Sequence, residues 1–253
     1  MVLFFNSLLG EFKKRKRSLF LLLHLCLPFL LPTLIILYAL LRNSPLSAWE
    51  YYSILFTLIG LSTPVIISIL CGIVADVESE AGQFQNILGV TKSKSISFFS
   101  QITMMLLSYS AAILLTISLY VCALRWIVHV EDIHLSLYYG SGIIFIVAAI
   151  FQYLFYQFIS YKHGIEISGI FGFVGMIIAA LSLTSQGDKI WPFLPWAWAN
   201  RFSEYFTHFL TVTDFEVING PIQVTGLVSF CCLTVCMIFV NFVWIQNWEG
   251  RRQ

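Results

Sequence analysis

An all-α polytopic membrane protein with six transmembrane helices is the fold class this sequence predicts, on three observations. Hydrophobic residues make up 58% of the 253 and charged residues only 11%, against roughly 25% charged in soluble domains. The apolar residues gather in six runs, each close to or above the roughly 20 residues a helix needs to cross a bilayer core. The polar residues fall between those runs. A formal net charge of +1 and a mean hydropathy of +0.85 complete the picture, and the scattered cations speak against nucleic-acid binding. All six cysteines (Cys26, Cys71, Cys122, Cys231, Cys232 and Cys236) lie in or at the ends of apolar runs and read as small buried hydrophobes.

Residues 1–17 open with Val2, Leu3, Phe4, Phe5, Leu8, Leu9 and Phe12 at near-helical spacing and end in Lys13, Lys14, Arg15, Lys16 and Arg17. That pattern predicts an amphipathic helix in the membrane interface, its cations beside lipid headgroups. Residues 18–41 carry no formal charge over 24 positions and predict a retained first span, too long for a signal peptide and kinked by Pro28 and Pro32. His24 inside it reads as a hydrogen-bonded or interface-facing residue rather than a metal ligand. A second span covers about 52–75, with Gly60, Pro64 and Gly72 interrupting it.

Residues 76–94, DVESEAGQFQNILGVTKSK, are the main polar island. On a helix, Val77, Ala81, Phe84 and Leu88 share one arc, and Glu78, Gly82, Gln85 and Gly89 share the opposite one. The apolar arc can rest on helix ends or lipid, while the polar arc offers a soluble partner a carboxylate, an amide and two glycines. An ordinary solvated loop is the plainer alternative. A third span covers about 96–124. The link after it holds His129, Glu131, Asp132 and His134, a possible chelating group that reads more simply as a solvated loop.

The fourth and fifth spans cover about 137–161 and 165–184, joined by a tight turn at 162–166. Residues 185–222 are rich in aromatics, among them Trp191, Phe193, Trp196, Trp198, Phe202, Tyr205 and Phe206. Such a density favours the headgroup layer and predicts an interfacial segment. The sixth span covers about 222–245, and the whole chain, 1–253, reads as one transmembrane domain.

Six spans put both termini on one side. If that side is cytoplasmic it carries ten of the fourteen cations, so the positive-inside rule places the termini, the 76–94 island and the 162–166 turn in the cytoplasm, and 185–222 outside.

The central parts of the spans hold no carboxylate or other group suited to ion coupling, which argues against a secondary transporter. No G-x-x-x-x-G-K-[ST] occurs, so a nucleotide-driven machine would need a separate ATPase. A rhomboid-like protease is the enzymatic rival. Gly140-Ser141-Gly142 lacks the flanking pattern of a nucleophile, the sixth span has no histidine, and no H-E-x-x-H is present. The chain reads as a non-enzyme.

Three stretches resemble the ABC-2 type permeases, and among them the permease subunits of lantibiotic-immunity transporters, the E and G class. The first is Glu11-Phe12-Lys13-Lys14-Arg15-Lys16-Arg17-Ser18 leading into a span with Pro28. The second is Pro64 followed by Glu78-Ser79-Glu80-Ala81-Gly82-Gln83-Phe84-Gln85-Asn86-Ile87-Leu88, similar to the family's E-x-x-x-G-x-[FW]-x-x-[IL]-L coupling segment. The third is Trp191 to Trp198, WPFLPWAW. Val90 to Lys94 departs from relatives that have a proline and an arginine there. The resemblance implies a complex of two permease subunits, identical or homologous, with an ATPase that binds ATP and magnesium. It implies a membrane-acting lantibiotic peptide as substrate and a bacterial plasma membrane as location. It makes Glu78, Glu80, Gly82, Phe84, Gln85 and Leu88 the expected ATPase-coupling residues. Trp191, Pro195, Trp196 and Trp198 become expected substrate contacts or an outer gate, with simple interfacial anchoring as the alternative. An exporter of a bacitracin-like drug or a lipid, and a non-transporting scaffold or sensor, are the competing functions.

Overall fold

The computed structural model describes residues 2–42, 44, 46–82, 84, 93–211 and 220–250, and these are helical throughout their regular parts. The helices are α1 (Val2–Lys14), α2 (Leu19–Leu41), α3 (Ala48–Glu80), α4 (Lys94–Ala123), α5 (Leu135–His163), α6 (Ile165–Ser182), α7 (Trp198–Thr211) and α8 (Pro221–Asn247). A π-helical turn, Leu124–Val128, extends α4, and a 3-10 turn, Trp191–Phe193, precedes α7. Six of these helices, α2 to α6 and α8, are long and apolar enough to cross a membrane. The architecture is the all-α polytopic one that the composition predicts.

Two boundaries differ from expectation for physical reasons. The second span begins at Ala48 because Ser47 and Glu50 form a capping box, Ser47 accepting from the Glu50 backbone at 3.2 Å and Glu50 accepting from the Ser47 backbone at 2.7 Å. Its far end runs on to Glu80, so the first part of the polar island is the last turn of a span and not the start of a separate coupling helix. Gly82 at φ 119° and Phe84 at φ 66° then turn the chain. Residues 85–92 of the island lie outside the described residues.

α3 is the central helix, packed against α6 and α5, while α4 lies against α2, α1 and α5. The α3–α6 seam depends on small residues. A Cβ on Gly172 would stand 2.0 Å from Ser68 Oγ and 3.1 Å from the Pro64 carbonyl, so only glycine lets the two backbones come this close. Ser168 Oγ donates across the same seam to the Ser68 carbonyl at 3.1 Å. α8, by contrast, presents most of its apolar surface outward, and so does α2. Gly226, Thr234, Asn241 and Ile245 are the buried residues of α8, and the Asn241 side chain donates to the Leu154 carbonyl of α5 at 3.3 Å.

The aromatic segment before α8 is more deeply seated than an interfacial stretch. The 3-10 turn packs on α8 and α7 packs on α5, so the segment folds back onto the bundle. Residues 212–219 lie outside the described residues.

Candidate functional site

α1, the end of α3, the end of α5, the start of α4 and the end of α8 meet at one end of the bundle. α1 exposes Leu3, Phe5, Leu9 and Phe12 and turns Leu8, Glu11 and the following Arg15 inward, the burial spacing of an amphipathic helix lying along a surface. Ser7 Oγ and Ser100 Oγ, 2.7 Å apart, tie it to α4. Beyond Lys14 the chain reverses into α2 through Arg17 at φ 67°, with Ser18 Oγ donating to the Arg15 carbonyl at 2.7 Å.

This turn brings the basic run over Glu78. Lys14 Nζ donates to Glu11 Oε1 at 2.8 Å and to Glu78 Oε1 at 3.0 Å, and Arg15 Nη2 donates to the same Glu78 oxygen at 3.1 Å. Arg15 Nη2 also stands 3.7 Å from Glu11 Oε2. Glu11, Arg15 and Glu78 are each only 2–3% exposed. Two carboxylates and two cations balance one another here, which is what allows charge to be buried at all. Burial, reinforced by the nearby Glu78 carboxylate, pushes the Glu11 carboxyl above its ordinary range despite the pull of Lys14 and Arg15. For Lys14 burial acts downward, but the hydrogen bonds and charges of Glu11 and Glu78 outweigh it and hold the ammonium above its ordinary value.

Aromatic packing closes the site. Phe84 is buried with its ring 5.2 Å from Tyr161 and edge-on to Trp248 at 4.8 Å, and its backbone N–H donates to the Glu78 carbonyl at 3.1 Å. Lys94 Nζ donates to the Trp248 carbonyl at 2.8 Å and so ties the first turn of α4 to the end of α8.

The expected coupling residues divide accordingly. Glu78 and Phe84 are inside the protein, so the expectation of Glu78 as an outward-offered carboxylate is corrected: its charge is taken up by Lys14 and Arg15. Glu80 is exposed and Gly82 half-buried, on the outer side of the turn. Gln85 and Leu88 lie outside the described residues. Sequence reasoning missed the partners of Glu78. The available signal was Glu11, the lone acid beside the basic run, placed three residues before Lys14 and four before Arg15, the spacings at which helical side chains meet.

At the opposite end the tryptophans are framework. Trp191 and Trp198 are fully buried, Pro195 is buried and Trp196 partly so. The Trp191 ring sits against Phe202 and Tyr205, in space that Gly226 of α8 leaves open. Trp198 Nε1 donates to the Pro192 carbonyl at 2.9 Å and its ring meets Phe151 and Phe230 edge-on. Trp196 Nε1 donates to Tyr156 Oη at 2.8 Å. Direct substrate contact by Trp191 or Trp198 is therefore corrected, because no part of either ring is open to a bound molecule. Among the described residues, Phe193 is the exposed aromatic of this segment. Arg201, which sequence reasoning passed over, is the electrostatic pin: Nε and Nη2 donate to the Ser182 carbonyl at 3.0 and 2.6 Å, and Nη2 also meets Asp188 Oδ1 at 2.6 Å. It satisfies the carbonyl end of α6, which has no helical partners of its own.

Ser141 sits in a third polar group. Tyr52 Oη lies 2.6 Å from Ser141 Oγ, 2.8 Å from Ser203 Oγ and 3.1 Å from Thr207 Oγ1, joining α3, α5 and α7. This is an interhelical hydroxyl cluster, and none of its four members is a base that could activate a serine.

A family model described as "ABC-2 family transporter protein" matches residues 7–181, a stretch that contains α2 to α5, nearly all of α6 and every member of the Glu11, Lys14, Arg15 and Glu78 cluster. No curated protein and no solved structure matches the chain.

Proposed function

The chain belongs to the ABC-2 family of transporter proteins, and from that premise we propose that it is the permease subunit of an ATP-driven exporter that clears a lantibiotic-type antimicrobial peptide from the producer's membrane. ABC-2 membership carries with it a multi-pass membrane location and association with an ABC ATPase. The permease supplies the passage. In this reading the ATPase subunit binds ATP and magnesium and performs the hydrolysis, a second permease copy or homologue completes the passage, and this chain catalyses nothing.

The single observation that supports the coupling role is the buried cluster joining α1 to the last turn of α3. It locks the surface helix and the Glu80–Gly82 turn into one unit, so a force applied to the turn from the cytoplasm is delivered to α1, α3 and α4 together. The turn is then the docking point, with Glu80 and Gly82 in contact with the ATPase and Glu78 and Phe84 as the positioning residues behind them. The lantibiotic assignment draws support from the resemblance in the N-terminal, Gly82 and tryptophan-rich stretches. A second support is an outer segment held rigidly by buried tryptophans while Phe193 stays open.

Affinity purification of the tagged full chain from its native bacterium tests the reading at its base. Recovery of a nucleotide-binding subunit is expected, and its loss on Gly82→Trp with the chain still in the membrane would tie it to this turn. Recovery of no such subunit from wild type would favour a scaffold or sensor. Deletion of the chain should raise sensitivity to a lantibiotic. Raised sensitivity to bacitracin alone would redirect the substrate to the competing drug-exporter reading.

A further inference from the structure

The N-terminal half holds a small cavity between α2, α3 and α4 that neither the charge cluster nor the tryptophan frame uses. Its volume is about 70 Å³, and His24, Pro28, Thr63, Tyr109, Ile113 and Thr116 lie around it. Leu27, Leu31, Ser62, Ile66 and Ala112 also line it and are only half-buried, so the cavity communicates with the lipid between the helices.

The lining is apolar except for one imidazole and a few hydroxyls, and the hydrogens of those groups can be accounted for. His24 Nδ1 lies 2.8 Å from the Phe20 carbonyl; a carbonyl only accepts, so Nδ1 carries the proton and donates. In the neutral ring Nε2 is then an acceptor, and it is buried without a protein partner among the described residues. Ser62 and Thr63 both donate to the Ile59 carbonyl, at 3.1 and 2.7 Å, and Thr116 donates to the Ala112 carbonyl at 2.8 Å. With its own hydrogen spent, Thr63 Oγ1 can only accept from Tyr109 Oη, 3.2 Å away. Every donor in the lining is thus satisfied internally, and what faces a guest is a set of acceptors with His24 Nε2 foremost.

An acceptor-only apolar site has a definite selectivity. An anion or an ester would bring lone pair against lone pair. A cation would have to shed its water in a cavity with no carboxylate to replace it. The fitting guest is an uncharged apolar molecule with an O–H group. The size admits a hydroxylated carbon segment and excludes a peptide, so the site is separate from any passage for a peptide substrate. We propose that this cavity is a binding site for an uncharged lipid-soluble alcohol, such as a long-chain alkanol, held by a hydrogen bond from its hydroxyl to His24 Nε2.

The test uses the full chain in lipid nanodiscs and a matched pair of probes. One is a long-chain alcohol bearing a photoreactive diazirine and an alkyne tag, and the other is its methyl ether, which has the same chain and no donor. Crosslinked peptides are mapped by mass spectrometry. The alcohol should label α2 to α4 peptides at the cavity about fivefold more than the ether, the value of one net hydrogen bond. His24→Leu should abolish that preference, and Ala112→Trp, which fills the space, should abolish labelling. Leu34→Trp on the lipid-facing side of α2 should change neither. Equal labelling by alcohol and ether, or a folded His24→Leu chain that keeps the preference, would overturn the proposal. If His24→Leu does not fold, the ratio in the wild type decides alone. A ratio of one would mean that Nε2 is satisfied by water and that no alcohol is bound.

Discussion

At the scale of single residues, Glu78 has the most at stake. One of its carboxylate oxygens serves Lys14 and Arg15 together, and Arg15 is buried. Removing the acid leaves a guanidinium buried without its main counter-charge, and breaking such a pair costs about 3–5 kcal/mol. Glu78→Ala should therefore lower the melting temperature in detergent sharply, and the double variant Glu78→Leu/Arg15→Met should recover part of the loss. Glu11 makes a different prediction. Its carboxyl is raised from the usual 4.5, so the folded chain holds this proton more tightly than the unfolded one. The stability that goes with protonation is full below the unfolded value and is lost as pH rises through the folded one. Glu11→Gln should flatten that part of the melting-temperature profile on the neutral side of 4.5, and an unchanged slope would refute the assignment. Arg201 rests on geometry more than on charge, since two of its nitrogens reach one carbonyl. A lysine presents a single point donor and cannot reproduce the fork, so Arg201→Lys should cost about 1.5–3 kcal/mol in thermal unfolding although the charge is kept.

Between helices, the same physics decides what could be read in advance. Runs without charge announce spans, and the spans at 18–41, 137–161 and 222–245 fall within a few residues of α2, α5 and α8. The ends of α3 were harder, because a capping box at Ser47 and a polar last turn through Glu80 both look like loop when only hydropathy is weighed. That last turn stays helical since Glu78 finds its counter-charges on another helix, a tertiary effect that no local pattern carries. The α3–α6 seam is another case, where Gly72 reads merely as an interruption, and Gly172 carries no signal, until the partner helix is seen. It yields a paired prediction. Gly172→Leu would push the seam apart and destabilise the chain by about 1–3 kcal/mol or more. Gly169→Leu, where an added Cβ meets nothing within 4 Å, should leave the melting temperature unchanged. A Gly172→Leu chain as stable as wild type would mean that the two helices can separate freely.

For the whole molecule, class and family were open to reading because both reside in composition and in short local strings. The working parts were less so: tryptophans that suggest a wet interface are buried framework, and a basic run that suggests headgroup contact spends Lys14 and Arg15 on the protein itself. What remains for the lipid in α1 is its apolar edge, Leu3, Phe5, Leu9 and Phe12, together with the exposed Lys13. This edge and the Glu11 and Lys14 side chains of the Glu78 cluster belong to one short helix, so in the proposed reading α1 links the bilayer surface to the turn after α3. Anchoring by such a helix scales with its buried apolar area. Leu9→Glu together with Phe12→Glu should therefore release α1 from the surface without touching Glu11 or Arg15. The melting temperature in detergent, where no bilayer is present, should stay close to wild type. In proteoliposomes containing the ATPase, substrate-stimulated ATP hydrolysis should fall while the ATPase still co-purifies, since the turn proposed as its docking point is intact. Full stimulation in the double variant would show that α1 takes no part in transmitting the stroke, leaving the charge cluster a purely structural brace.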